Sequence, residues 1–258
     1  GGRSLEKVKN KIMINKYFTV EVKPTVTASL QNTAAFSDGD VLFDWIAIQV
    51  PKGSSALIGA TLMVRPKGDA GPTANNFAMD LVFSKTNTVS LGTINSALNN
   101  RPSNDFLGLL EFAAGNYGST AMPSTVIATT GWGSSVGAPP MVLTPDPTTG
   151  DNVGFDTLYV GGVARGAFDF RSINAVNESN FAAGAQTVIT MDGTDMDVRE
   201  HFVAGDVLHA ADDAVLGTVA SADSATQITL TAANTDAIDE DDIIYNINPI
   251  RAILYFEK

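Results

Sequence analysis

One internal stretch, Gln186 to Asn246, carries the whole charge imbalance of this chain. It holds thirteen acidic residues against Arg199 alone, which accounts for the formal net charge of −12. The rest of the chain balances, fifteen basic residues against fifteen acidic. A composition break this sharp inside a chain marks a separate module inserted into a host domain. The apolar segment Ile250 to Phe256 then reads as the host's returning strand and not as a tail.

Strand signals dominate both parts. Tyr17 to Lys23, Val41 to Val50, Ser55 to Pro66, Ala78 to Phe83, Thr125 to Thr129, Thr157 to Ala164 and Ile250 to Phe256 are rich in β-branched and aromatic residues. Turn formers punctuate them, as at Ser37-Asp38-Gly39-Asp40 and Pro51-Lys52-Gly53. Long helical periodicity is absent. The acidic stretch has its own rhythm of five short runs: Thr187–Thr190, Val207–Ala210, Val215–Ala220, Thr226–Leu230 and Ile243–Tyr245. Their turn-sized gaps suit a small β-barrel, which hides its own strand edges. The expected architecture is all-β: a jelly-roll-like β-sandwich with an inserted small β-barrel. The division is a basic arm over 1–16, a sandwich over 17–185 plus 247–258, and the barrel over 186–246. Gly131 to Asn152, rich in Gly, Pro, Ser and Thr, is expected as a long surface loop. The formula Phe-x-x-Gly-Asp-Val-Leu occurs at Phe36–Leu42 and Phe202–Leu208, and is read as shared turn chemistry.

Composition excludes several chemistries. The chain has no cysteine, so disulfides, thiolate nucleophiles and Cys-based zinc sites are out. No run approaches the ~20 apolar residues of a membrane helix, and no membrane partner is expected. The acidic total argues against nucleic acid, whose phosphates want a basic patch. The exception is the start, where Arg3, Lys7, Lys9, Lys11 and Lys16 face only Glu6. This is either a solvated basic arm or an anchor for an acidic partner.

Catalytic patterns are poor. His201 and His209 are the only histidines, and both lie in the acidic module. No Gly-x-Ser-x-Gly elbow and no His-Glu-x-x-His is present. Gly131 to Gly137 lacks the Lys-Ser/Thr ending of a phosphate loop. A glycosidase pair cannot be picked from twenty-eight carboxylates by sequence. Asp192, Asp195 and Asp197 are weak candidates for a hard cation such as calcium, as is the run Asp236 to Asp242, but neither keeps calcium-loop spacing. A solvated acidic surface is the competing reading. Asn177-Glu178-Ser179 is a formal glycosylation sequon to which no role is assigned. No enzymatic activity and no cofactor are expected.

A series of short motifs runs in order along the chain: Ser37-Asp38-Gly39-Asp40-Val41-Leu42, Met79-Asp80-Leu81-Val82-Phe83, Ser90 to Ala97 (SLGTINSA), Phe106-Leu107-Gly108 and Leu158-Tyr159-Val160. This order resembles a group of tailed-phage virion structural proteins. There the GDVL, DLVF and SLGTxNxA segments recur in sequence, and one apolar strand follows the last of them. The module's order GDVL…LGTV…ITL…IYN is similar to small β units in structural proteins of marine T4-like phages. The resemblance implies a virion part; the role expected of it is to decorate the head, with the sandwich docking and the acidic barrel exposed. A tail, neck or fibre component is the nearest alternative, and a carbohydrate-binding sandwich for host adhesion is the next. The implied partners are further copies of the chain, with a trimer as first guess, and the major capsid protein or other virion proteins. Location in the virion, after assembly in the host cytoplasm, follows. Candidate contact residues are Arg3, Lys7, Lys9 and Lys11 of the arm and the loop apolars Trp132, Met141 and Phe155.

Overall fold

The computed structural model describes residues 16–33, 35–64, 78–98, 104–118, 126–131, 141–146, 155–170, 175–192 and 197–258. The chain is all-β, in three antiparallel sheets. Eight main strands build the host. They are β1 (Tyr17–Val22), β2 (Val41–Pro51), β3 (Ser55–Val64), β4 (Met79–Ser84), β5 (Phe106–Phe112), β7 (Val126–Gly131), β9 (Phe155–Ala164) and β16 (Ile250–Glu257). One sheet runs β1-β16-β3-β7, extended by β6 (Tyr117–Gly118) and joined by β8 (Met141–Leu143), which pairs with β3. The other runs β2-β9-β4-β5. With the eight main strands counted in chain order, the sheets read 1-8-3-6 and 2-7-4-5. That interleaving of near and distant strands is a jelly roll, two Greek keys folded face to face.

Alternation produces this packing. In β16, Ile250, Ala252, Leu254 and Phe256 point inward and are buried, while Arg251 is exposed. Across the interior they meet one core that includes Leu42, Ile48, Met79, Phe83, Phe112 and Leu158. Phe18 of β1 stacks on Phe256 at 5.0 Å. Ile253 and Tyr255 pair with Glu21 and Thr19 of β1 on one side and with Thr61 and Gly59 of β3 on the other. The chain after the acidic stretch therefore returns to the middle of the first sheet.

The third sheet is β10 (Ala175–Val176), β15 (Ile243–Asn246), β12 (Val207–His209), β13 (Val215–Ala222), β14 (Gln227–Leu230) and β11 (Val188–Thr190), in that spatial order. Its ends meet. Asn177 bridges Met191, Glu178 N–H donates to Thr190 O at 3.1 Å, and Asp192 N–H donates to Val176 O at 2.9 Å. The sheet is thus a closed barrel around a separate core with Ile189, Phe202, Leu208, Leu216, Ile228 and Ile244. All five runs of the acidic stretch form its strands. The sixth, β10, precedes Gln186, and Phe181 bridges Ile238. The charge break therefore falls inside the barrel's sheet, because residues 175–185 pair with it while carrying only Glu178 as charge. The buried Asn177 donates to the carbonyls of Ser179 and Asp239, which leaves its sequon amide engaged in the fold.

One turn device enters strands in both parts. At Phe36–Leu42, Ser37 N–H donates to Asp40 Oδ2 at 2.7 Å, Asp40 N–H to Ser37 O at 3.1 Å, and Gly39 takes φ 86°. At Phe202–Leu208 the same bonds join Val203 and Asp206 at 3.0 and 3.1 Å, with Gly205 at φ 94°. The expected shared turn chemistry is what forms. It occurs a third time at Ile238–Ile244, where Asp241 (φ 67°) stands in the glycine's place and Asp242 in the cap's. In each case the turn also clamps one residue of a neighbouring segment through a reciprocal pair of backbone bonds: Ala164, Val219 and Asn177 respectively. The Asp239–Asp242 run, considered for metal, is this turn. The long loop expected over 131–152 is likewise interrupted by β8, pinned to β3.

A polar elbow fixes barrel against sandwich. After β1 the chain forms α1 (Ala28–Gln31), capped by Thr27. Ser29 donates its N–H and its hydroxyl to Asp213 Oδ1 and Oδ2 at 2.9 and 2.5 Å. Gln31, buried, donates to Val26 O and Asn246 O at 2.7 and 2.9 Å. Tyr245, fully buried, donates to Asn32 Oδ1 at 2.7 Å. Burial leaves such polar groups stable only when paired, so the elbow is held in one geometry.

Candidate interaction surface

The five sandwich motifs of the resemblance meet on one face. Gly39–Leu42 opens β2, Asp80–Phe83 lies in β4, Phe106–Gly108 in β5 and Leu158–Val160 in β9, which are the four strands of the second sheet. Ser90–Ala97 forms a cover over its outer side. Leu91, fully buried, lies over Gly161, where any Cβ would enter its side chain. Asp44 accepts from Leu91 N–H at 2.9 Å. Val41 N–H donates to Ser96 O, and Val41 O accepts from Asn95 N–H, both at 2.9 Å. Trp45 donates to Val89 O at 3.0 Å and meets Phe106 edge-on at 5.7 Å. Glycine at 161 is thus demanded by the leucine of the SLGT segment.

The described part of the cover ends at Leu98, beside β5. There a cavity of about 430 Å³ is lined by Val82, Leu98, Phe106, Gly108, Leu109 and Val163, with Asp80 beside it. Leu109 is 54% exposed, among the most exposed large apolar side chains of the sandwich. A second hollow of about 350 Å³ shares Leu98, Leu109 and Val163 and adds Asp38, Glu111 and Arg165. Register places Asp80 directly opposite Glu111 across β4 and β5. Arg165 spans them, paired with Glu111 and 3.5 Å from Asp80. Burial pushes the Asp80 carboxyl above its ordinary range. Arg165 opposes that push, and Glu111 and Asp38 reinforce it. Arg165 is held more firmly protonated, chiefly by its bond to Glu111. Two close carboxylates with one raised pKa are what acid–base chemistry uses. Here one guanidinium engages both, and the pair serves as a charged rim to an apolar groove.

The sequence-chosen residues are scattered. Arg3, Lys7, Lys9, Lys11, Trp132 and Asp195 lie outside the described residues. Met141, half-buried, turns its sulfur onto the backbone of Gly108, where a Cβ would sit 2.6 Å away. Phe155 is 43% exposed at the start of β9, across from Pro51. Asp192 is half-buried, its N–H on Val176 O. Asp197 caps α2 (Val198–His201) and holds Arg199, whose hydrogen bonds lower its pKa. Its oxygens are already engaged. His201 is buried edge-on against Phe202, and His209 Nδ1 lies 3.0 Å from Asp213 O. Sequence reading missed Leu109, Glu111 and Arg165. The one available signal was Asp80, a lone charge in an apolar strand.

Fold and face together define an eight-stranded jelly roll with a barrel in the connection between its last two strands. No family model and no curated protein matches the chain. Two solved viral chains are similar to it. One is the STIV MCP, at 9% identity over 93% of this chain and 95% of that chain, with a TM-score of 0.16. The other is from the atomic structure of Sulfolobus Turreted Icosahedral Virus, at 9% identity over 94% and 91%, with a TM-score of 0.14. Likeness at that level carries no argument.

Proposed function

We propose that this chain is a non-enzymatic virion structural protein that decorates a phage head. It docks through the sandwich and exposes the acidic barrel. One observation carries the reading: the five sandwich motifs that resemble tailed-phage structural proteins, from Ser37–Leu42 to Leu158–Val160, all serve the second jelly-roll sheet or its cover. The matched residues are therefore the ones that build a face, not scattered coincidences. Jelly rolls serve as viral capsid domains, among other uses. An acidic outward module would keep crowded copies apart and repel anionic surfaces.

Purified virions test this directly. The chain should be present in stoichiometric amounts, and density maps should place the barrel outermost on the head. Absence from virions would end the proposal, and density at the tail, neck or fibre would move it there. A carbohydrate-binding sandwich is less well supported, since Trp45 is bonded to Val89 and packed on Phe106. Glycan-array binding abolished by Trp132→Ala would restore it. Turnover of broad glycan and ester substrates, lost in Asp80→Asn, would overturn the non-enzymatic reading.

A further inference from the structure

We infer that the groove beside Leu109 receives the basic segment 3–14 of a second copy of this chain. The inference deepens the reading above by naming what joins neighbouring copies. The groove is apolar along Val82, Leu98, Phe106 and Leu109, and acidic along one rim, where Asp38, Asp80 and Glu111 outnumber Arg165. An occupant must bring apolar side chains and cations together. Residues 5–14 do so: Leu5, Val8, Ile12, Met13 and Ile14 are interleaved with Lys7, Lys9 and Lys11, against Glu6 alone. The barrel offers more negative charge, but the apolar hollow of about 480 Å³ beside its Val203–Val207 turn is also lined by Lys23 and Arg251, which oppose the segment's lysines. Among the described residues, the groove sets apolar lining beside a net acidic rim.

A second copy is favoured over the chain's own segment by the path between them. The segment leads into β1, which packs opposite β2, whereas β5 lies against β7 and β8 at the far side of the sandwich. Across the outer face, the direct path from β2 to β5 is occupied by the cover, with Leu91 seated on Gly161 and Asn95 and Ser96 bonded to Val41. From a neighbour, roughly ten extended residues span about 35 Å, enough to cross between adjacent subunits and lie along β5. Several arms acting together should bind more tightly than one alone.

The test uses purified protein and needs no virions, so its outcome is separate from that of the head-decoration reading. Light scattering should give the full chain a mass of more than one copy, and a chain lacking residues 1–15 the mass of one. A labelled peptide of residues 3–16 should bind the shortened chain, more weakly as salt rises. Leu109→Lys should weaken that binding at least about tenfold, because it sets a cation in the apolar trough. Val188→Lys, on the barrel, should not change it. Leu109 is exposed, so its substitution leaves the core intact. The inference is overturned if the full chain is a single copy, if the shortened chain keeps the full chain's mass, or if Leu109→Lys leaves peptide binding unchanged.

Discussion

At the scale of single residues, the fold depends on a few positions where backbone or close approach allows one choice. Gly39 and Gly205 hold positive φ in equivalent turns, so Gly39→Ala and Gly205→Ala should each cost about 1–2 kcal/mol in denaturant unfolding. Asp241 occupies the same site with a side chain that tolerates it, so Asp241→Gly should shift stability by less than about 0.5 kcal/mol. At Gly161 and Gly162 the limit is space: Leu91 and Phe43 fill it, and alanine at either should cost about 1–3 kcal/mol. Asp213 sets a pH dependence. Burial alone would raise its pKa, but bonds from the Ser29 hydroxyl and amide, with smaller help from Ala28 and His209, hold it below the ordinary 3.8. A carboxyl with a depressed folded-state pKa stabilises fully above its unfolded value and loses that contribution as pH falls through the folded value. Ser29→Ala should therefore lower stability at neutral pH, and the gap to the parent should close below about pH 4.

At the scale of elements, β16 is the strand to break. It joins β1 to β3, and Leu254→Ala inside it should cost about 2–5 kcal/mol, read from equilibrium unfolding. Its place was legible because Ile250 to Phe256 is a nearly continuous apolar and aromatic run that follows a charge break. β5 was not read as a strand, since Phe106 to Phe112 contains Gly108 and runs Leu-Leu across the alternation. Its identity rests on the partner β4, and Gly108 is there for the sulfur of Met141. β10 was hidden for a different reason: two residues carry no periodicity, and only closure of the barrel defines them. The groove was illegible as a site because Asp80, Glu111 and Arg165 are far apart in sequence. Strand register and the turn after β9 bring them together. The acidic runs offered weak metal candidates because a capped turn and a helix cap use the same kind of carboxylates as a cation site.

At the scale of the molecule, two cores are joined by a polar elbow and not by a shared apolar interior. Calorimetry should resolve two transitions, with Leu208→Ala lowering one by roughly 2–5 kcal/mol and leaving the other near its place. The barrel bears nearly all the uncompensated charge, so its transition should rise between low salt and about 0.5 M NaCl as repulsion is screened. The sandwich, balanced in sign, should respond much less. The order of the strands along the chain adds a constraint on biogenesis. During synthesis from the amino terminus, β1 and β3 emerge early with a vacancy between them, and the strand that fills it comes only after the whole acidic guest. For that interval the nascent host exposes two unpaired edges, and a compact, self-repelling guest that finishes folding first is the safest thing to have translated in between.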